Sequence, residues 1–366
     1  MSDQIVPILM PKWGLSMKVG TLAAWHVEEG TEIKPGDEIM DVETDKIANV
    51  VEAADGGLLR RCVGTAGEIY PVQALLGVLA PASVSDAEID AYVDAFEMPE
   101  VEEDEEEVPS HLTIDLAIGR IRYMAREGEG TPVIFVHGFG GDSDNWLFNV
   151  DAIAADAPVY ALDLPGHGGS VKTVDNPGLG TMVDAVIQLM DHLSIDKAHL
   201  VGHSMGGLVS GQTAIDHGKR VASLTLICSA GLGDEINSDY IDGFVSAQSR
   251  KELKPKLKHL FADEGLVSRS MVDALLKFKR LDGVQAFLEA LKGNLFSDGK
   301  QAAGIAADVA ASGVPTTVIW GAEDAVIPQT HSSAVKGAKV DVISGAGHMA
   351  MMENAGRVNE LIKEQL

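Results

Sequence analysis

Between Pro81 and His111 the chain carries twelve acidic side chains and no basic one, and this gap constrains the rest of the molecule. It closes on Glu-Val-Glu-Glu-Asp-Glu-Glu-Glu, Glu100 to Glu107, a block that repels itself and cannot bury enough apolar surface to fold alone. Residues 81–111 therefore read as an acidic flexible linker. Local helicity between Asp86 and Phe96 is allowed, with Ala87, Tyr92, Ala95 and Phe96 loosely on one face. Some thirty flexible residues span roughly 30 Å on average and about 100 Å when stretched, and mutual repulsion favours the longer end.

The linker divides 366 residues into 1–80 and 112–366, each long enough for its own core. Acidic and basic residues number 12 and 6 in the first part, and 31 and 22 in the second. A formal charge of −27 disfavours nucleic acid and anionic membrane as partners, because phosphate is repelled. No apolar run approaches the roughly 20 residues of a membrane span, and no charged-then-apolar leader opens the chain; a cytoplasmic location is the default expectation. The two cysteines, Cys62 and Cys228, fall in different parts, so a disulfide is not expected, and two are too few for a Cys-based metal site. Both read as small buried apolar residues, and no metal is expected.

Residues 1–80 read as short strands with frequent turns and a faint duplication. Gly20, Gly30, Ile39 and Val42 are matched 37 positions later by Gly57, Gly67, Leu76 and Leu79, as two similar half-sheets packed face to face would require. The segment Asp41-Val42-Glu43-Thr44-Asp45-Lys46-Ile47-Ala48 sets a lysine among acids between two apolar stretches. Alone it is an ordinary exposed turn lysine. With Met10-Pro11-Lys12-Trp13-Gly14-Leu15-Ser16-Met17 upstream and Gly36-Asp37-Glu38-Ile39 before the turn, residues 4–80 resemble a lipoyl domain, an all-β sandwich of the lipoyl/biotinyl type. That resemblance implies lipoate amide-linked to Lys46. A biotin carrier shares the fold but usually shows Met-Lys-Met; Asp45-Lys46-Ile47 favours lipoate. A dithiolane on a long arm visits separate active sites without releasing its cargo, which raises effective concentration.

Residues 112–366 alternate strand and helix patterns, as in a mostly parallel sheet covered on both faces. Buried-strand candidates are 133–136, 159–162, 200–201, 224–228, 317–320 and 340–343, with a helical cap insertion at about 234–311. Gly202-His203-Ser204-Met205-Gly206 presents G-x-S-x-G between a strand and a helix pattern. Asp324 lies just beyond one later strand and His348 beyond the next, in the order Ser, Asp, His. His137-Gly138-Phe139-Gly140-Gly141 supplies a turn from which the backbone amides of Phe139 and Met205 would hold an oxyanion. These four motifs resemble the α/β-hydrolase family. Ser204 is then the nucleophile, His348 the base and Asp324 its support, with Glu323 a weaker candidate for the acid. His137, His203 and His167 read as structural.

From Arg250 to Arg280 the cap holds nine basic and four acidic residues. Solvated helix faces account for this; the sharper alternative is that Lys254, Lys256 and Lys258 receive the phosphates of coenzyme A or the acidic lipoyl domain.

A lipoyl domain tethered to a hydrolase-fold domain resembles the dihydrolipoamide acetyltransferase family of acetoin dehydrogenase complexes. The resemblance implies acetyl transfer from lipoyl-Lys46 to coenzyme A, a thiamine-diphosphate-dependent acetoin-cleaving partner, and dihydrolipoamide dehydrogenase. One departure stands out. The His-x-x-x-Asp-Gly signature of ordinary 2-oxoacid dehydrogenase acyltransferases does not occur: His111 and His192 have Asp115 and Asp196 four residues on, but Leu116 and Lys197 follow. No separate docking module for partner enzymes is evident. An esterase or thioesterase acting on a small-molecule substrate, and a mobile acyl carrier with a vestigial triad, therefore stay open as alternatives.

Overall fold

The computed structural model describes residues 5–11, 19–43, 48–96, 98–99, 111–297 and 299–366. The chain separates into two compact bodies, 1–107 and 108–366.

The first body contains β1 (Val6–Leu9), β2 (Val19–Trp25), β3 (Glu32–Ile33), β4 (Glu38–Glu43), β5 (Ala48–Glu52), β6 (Gly57–Cys62), β7 (Ile69–Pro71), β8 (Leu75–Leu79) and helix α1 (Asp86–Ala95). Two antiparallel sheets form, in the orders β1-β8-β6-β3 and β5-β4-β2-β7. The 37-residue repeat maps β2, β3 and β4 onto β6, β7 and β8, so the half-repeats exchange strands and each sheet draws on both. Gly30 and Gly67 both sit at φ +91°, in left-handed turns that favour glycine. Ile39, Val42, Leu76 and Leu79 are all buried between the sheets.

The two sheets differ at one corner. On one, β4 continues into β5, paired as far as Glu43 opposite Ala48. On the other, β8 has β1 as its neighbour, and the chain leaves it for α1.

Helix α1 corrects the expectation that the linker begins at residue 81. Ser85 and Glu88 form a reciprocal capping box at its start. Ile89 is fully buried against Leu75, Val78 and Ala80, with Tyr92, Val93 and Phe96 packed beside it. The apolar stripe is thus 89, 92, 93 and 96, whereas Ala87 and Ala95 are exposed. Asp86 and Asp90 are not free repelling charges: Arg60 Nη2 donates to Asp86 at 2.8 Å, and Arg61 pairs with Asp90. Glu97 and residues 100–110, which include the Glu100–Glu107 block, lie outside the described residues.

The second body is a three-layer α/β structure. Its strands are β9 (Leu112–Leu116), β10 (Gly119–Arg126), β11 (Val133–Val136), β12 (Val159–Leu162), β13 (Ala198–His203), β14 (Val221–Ile227), β15 (Phe296–Ser297), β16 (Lys300–Gln301), β17 (Thr316–Gly321) and β18 (Lys339–Ile343). Its helices are α2 (Val150–Ala154), α3 (Leu179–His192), α4 (Met205–Asp216), α5 (Ser238–Ser246), α6 (Arg250–Leu257), α7 (Arg269–Lys279), α8 (Val284–Leu295), α9 (Ala306–Ser312), α10 (Ala350–Glu353) and α11 (Ala355–Lys363). The main sheet runs β18-β17-β14-β13-β11-β12-β10-β9, parallel from β18 through β12 and antiparallel at β10 and β9. Strand β11 is Val-Ile-Phe-Val, buried throughout, as a strand covered on both faces must be. Helices α5 to α9 and the β15–β16 ribbon all fall between β14 and β17.

Candidate active site

Six neighbouring parallel strands deliver their carboxyl ends to one edge of the sheet, where open α/β sheets bind ligands. From β11 comes the glycine turn 137–141, from β12 Asp163, from β13 Ser204, from β14 Cys228, from β17 Asp324 and from β18 His348.

Ser204 stands between β13 and α4 with φ 53° and ψ −118°, a strained backbone for a residue with a side chain. Four backbone hydrogen bonds hold it there. Its N–H donates to Ile227 O at 3.0 Å, and its carbonyl accepts from the N–H groups of Gly207, Leu208 and Ala230. The flanking glycines follow from crowding: a Cβ at Gly202 falls 2.3 Å from Gly206 O, and one at Gly206 falls 2.0 Å from Val136 O. Met205, as the first residue of α4, has no helical acceptor for its N–H.

Asp324 and His348 are brought together. Asp324 Oδ2 lies 2.9 Å from His348 Nδ1, with side-chain exposures of 0% and 2%. The other carboxylate oxygen accepts from Val326 N at 2.8 Å and Ile327 N at 3.0 Å, so both oxygens are committed. Glu323, the weaker candidate, faces elsewhere and accepts from Gly345 N at 3.0 Å. A carboxylate on Nδ1 leaves Nε2 as the nitrogen available to take a proton.

Ser204 and His348 line one cavity of about 300 Å³, as do Gly138 and Phe139 of the glycine turn. Tyr240, Phe244 and Met271 of the cap helices line it too, and apolar surface predominates. Gly140, at φ +74°, has no room for a Cβ beside Phe244, so the turn and the cap fit closely.

The other histidines brace these loops. His203 Nε2 is 2.9 Å from His348 O, and burial, then the nearby His348, holds its pKa well below the usual value, so it donates as a neutral ring. His137 Nε2 accepts from Leu164 N at 3.0 Å. His167 Nδ1 donates to Pro165 O at 2.9 Å, and burial lowers its pKa to about 3.

Two supporting groups escape sequence reading. Asp163 is buried, and burial pushes its pKa up; the Arg122 hydrogen bond and charge outweigh this, and Asp163 settles at about 2. Its Oδ1 accepts from Ser143 N at 2.8 Å and its Oδ2 from Gly169 N at 2.6 Å, tying down the chain beyond the glycine turn. Cys228 is more than small apolar filling. At φ +44°, its sulfur accepts from Gly321 N at 3.4 Å and lies 3.8 Å from Gly347 O, joining the loops that carry Asp324 and His348. Cys228 Sγ, a carboxylate oxygen of Asp324 and a ring nitrogen of His348 lie within 4.8 Å of one another. Burial raises the thiol pKa well above its ordinary range, which keeps it protonated. An Asp-x-x-Gly spacing for Asp163, or a cysteine ending a strand, is too common a pattern to have marked either.

Lys46 lies outside the described residues, as do Lys12 to Met17 of the upstream segment.

Family models agree with the two bodies: one described as alpha/beta hydrolase fold matches residues 131–355, and one described as biotin-requiring enzyme matches residues 6–79. The dihydrolipoyllysine-residue acetyltransferase component of the acetoin cleaving system of Cupriavidus necator is 53% identical over 367 residues, covering 100% of this chain and 98% of that protein. The chain belongs to this family. The component of the same name from Pseudomonas putida is 46% identical over 362 residues, covering 98% of this chain and 97% of that one. Both alignments run through the first body, the acidic segment and the second body, so the fusion itself is a family property. Among solved structures, a meta-cleavage product hydrolase from Pseudomonas fluorescens superposes with a TM-score of 0.63 at 26% identity, covering 69% of this chain and 96% of that one. Among the described residues, no helix is long and apolar enough to cross a membrane.

Proposed function

We propose that this chain carries an acetyl group on Lys46 and passes it to coenzyme A at Ser204, as a component of an acetoin-cleaving multienzyme system. The single observation that carries the reading is identity of 53%, over an alignment that spans both bodies, to a named acetyltransferase component.

The lipoyl group fits the first body. Strands β4 and β5 stay paired to Glu43 opposite Ala48, so the lysine belongs to the four-residue connection closing that ladder. When bound, lipoate supplies a thiol that holds the acyl group as a thioester. The acidic segment after Phe96 serves as the tether, and residues 112–366 as the transferase domain.

In the second body Ser204 Oγ attacks the thioester carbonyl while His348 Nε2 takes its proton. Asp324 holds the ring with Nδ1–H toward the carboxylate and supports the imidazolium that forms. The amides of Phe139 and Met205 stabilise the oxyanion. The carbon–sulfur bond breaks, and His348 returns its proton to the departing thiol. The acetyl group is left on Ser204. His348 next removes the proton of the coenzyme A thiol, sulfur attacks the acyl-serine, and the carbon–Oγ bond breaks as the proton passes back to Ser204.

A thiamine-diphosphate-dependent acetoin-cleaving component supplies the acetyl group, and dihydrolipoamide dehydrogenase reoxidises the arm. The likeness to a hydrolase favours a second reading, in which water takes the place of coenzyme A. Acetylated wild-type protein is expected to yield acetyl-coenzyme A in preference to acetate. A Ser204→Ala protein is expected to yield neither at an appreciable rate. Equal product formation by the two proteins would sink the serine mechanism and leave a carrier alone.

A further inference from the structure

Coenzyme A brings a diphosphate and a phosphomonoester to a chain of formal charge −27, so productive binding needs a local concentration of cations. The basic stretch of the cap runs from Arg250 to Arg280, but several of the cations in and beside it are already engaged. Lys256 Nζ donates to both oxygens of Asp239 at 2.6 and 2.8 Å, and Lys258 pairs with Glu264 at 2.6 Å. Lys292 pairs with Asp242 at 2.6 Å. Lys279 is buried, donating to the carbonyls of Phe244, Val245 and Ala247 at the end of α5. Two of the three lysines suggested by the sequence are therefore already neutralised within the cap.

The excess charge lies elsewhere, around one carboxylate. Arg250 grips Asp273, with Nη2 at 2.7 Å from Oδ2, and Arg269 Nε stands 3.9 Å from the same oxygen. Arg250, Lys251, Asp273 and Arg280 line a depression of about 630 Å³ together with Ser249 and Leu276. Among the described residues neither Lys251 nor Arg280 makes an ion pair within 4.0 Å. Four cations thus gather about a single acid.

Helix α7 links this depression to the reacting centre. Met271 and Leu275 on one face of it line the Ser204 cavity, whereas Asp273 and Leu276 on the opposite face, with Arg280 at its C-cap, line the basic depression. The two sites are separated by about one helix diameter, roughly 10 Å. That separation suits an acceptor whose charged head and reacting thiol are joined by a thin, flexible arm.

We propose that Lys251 and Arg280, beside the Arg250–Asp273 pair, hold the phosphates of coenzyme A while its pantetheine arm passes α7 to the Ser204 cavity. This rests on coenzyme A being the acceptor. The Arg280 fork matches phosphate oxygens, and Lys251 adds a second cation on the same depression.

The test uses the lipoylated full chain with acetyl-dihydrolipoamide as donor, and compares kcat/KM for coenzyme A, its 3′-dephospho form and pantetheine. In the Lys251→Gln/Arg280→Gln protein the ratio of coenzyme A to pantetheine is expected to fall about tenfold or more. The Lys251→Arg/Arg280→Lys protein, which keeps the charge, is expected to hold the ratio within about threefold of wild type. An unchanged ratio in the glutamine variant overturns the proposal and leaves transfer to coenzyme A standing. A wild-type protein that uses coenzyme A and pantetheine equally well has the same consequence. Free acetate as the sole wild-type product removes both this site and the acceptor it serves.

Discussion

The two bodies reach function by opposite routes. In the first, duplication sets the architecture, and the proposed attachment lysine sits where duplication breaks: β4 turns back into β5, whereas its counterpart β8 gives way to α1. In the second, nothing repeats, and groups up to 211 positions apart, from His137 to His348, converge because parallel strands end on one edge. A carrier needs one group at an accessible turn. A transferase needs several groups fixed to fractions of an ångström, which a sheet edge with crossing loops supplies.

The largest expected effect tests the convergence. Ser204→Ala and Asp324→Asn are each expected to cut acetyl-coenzyme A formation by about 10⁴-fold, measured by single turnover with acetyl-dihydrolipoamide. Glu323→Gln, one position earlier, is expected to cost no more than a few-fold. Comparable losses from Glu323 and Asp324 would break the assignment of the acid.

Next comes the contrast between tethered and free cargo. Lys46→Arg is expected to abolish turnover of the assembled system while free acetyl-dihydrolipoamide still reacts. The difference measures effective concentration, about 10² to 10⁴-fold over separate components. Loss of the free-substrate reaction as well would show that the two bodies are not functionally separable.

Bracing of the second body gives a smaller signal with a defined pH window. The folded pKa of Asp163, about 2, lies below its unfolded value, so its stabilisation is present above roughly pH 4 and is lost as pH falls toward 2. Asp163→Asn is expected to cost about 2 kcal/mol at pH 7 in denaturant unfolding of the second-body transition, with the difference from wild type shrinking below pH 4. A pH-independent difference would mean that the carboxylate contributes only shape.

The smallest effect probes the duplication. Gly30 and Gly67 share the same positive φ, and no atom lies within 4 Å of the place a methyl group would take at either, so alanine is expected to cost about 1 kcal/mol by backbone strain alone. Equal shifts in the first-body transition support the equivalence of the half-repeats. Unequal ones show where it ends.

These contrasts also explain what sequence reading reached. The sandwich and the parallel sheet were legible, and Ser204, Asp324 and His348 could be nominated, because each depends on a short local pattern that survives without knowledge of neighbours. The packing of helix α1 was not legible because a local count treats its acids as free. Arg60 and Arg61, which neutralise Asp86 and Asp90, lie more than twenty positions away. The ion pair of Lys256 was hidden in the same way, since Asp239 lies seventeen positions before it. Cys228 and Asp163 act by contacts across loops, and nothing in their own surroundings announces those contacts.

The bent backbone at Ser204 has a consequence for how such a chain ages under selection. Glycine there would relax the left-handed residue while deleting the hydroxyl, so Ser204→Gly is expected to melt later than the working enzyme despite being inert. Heat tolerance alone would therefore reward loss of the serine, and only continued demand for the reaction keeps the hydroxyl in place.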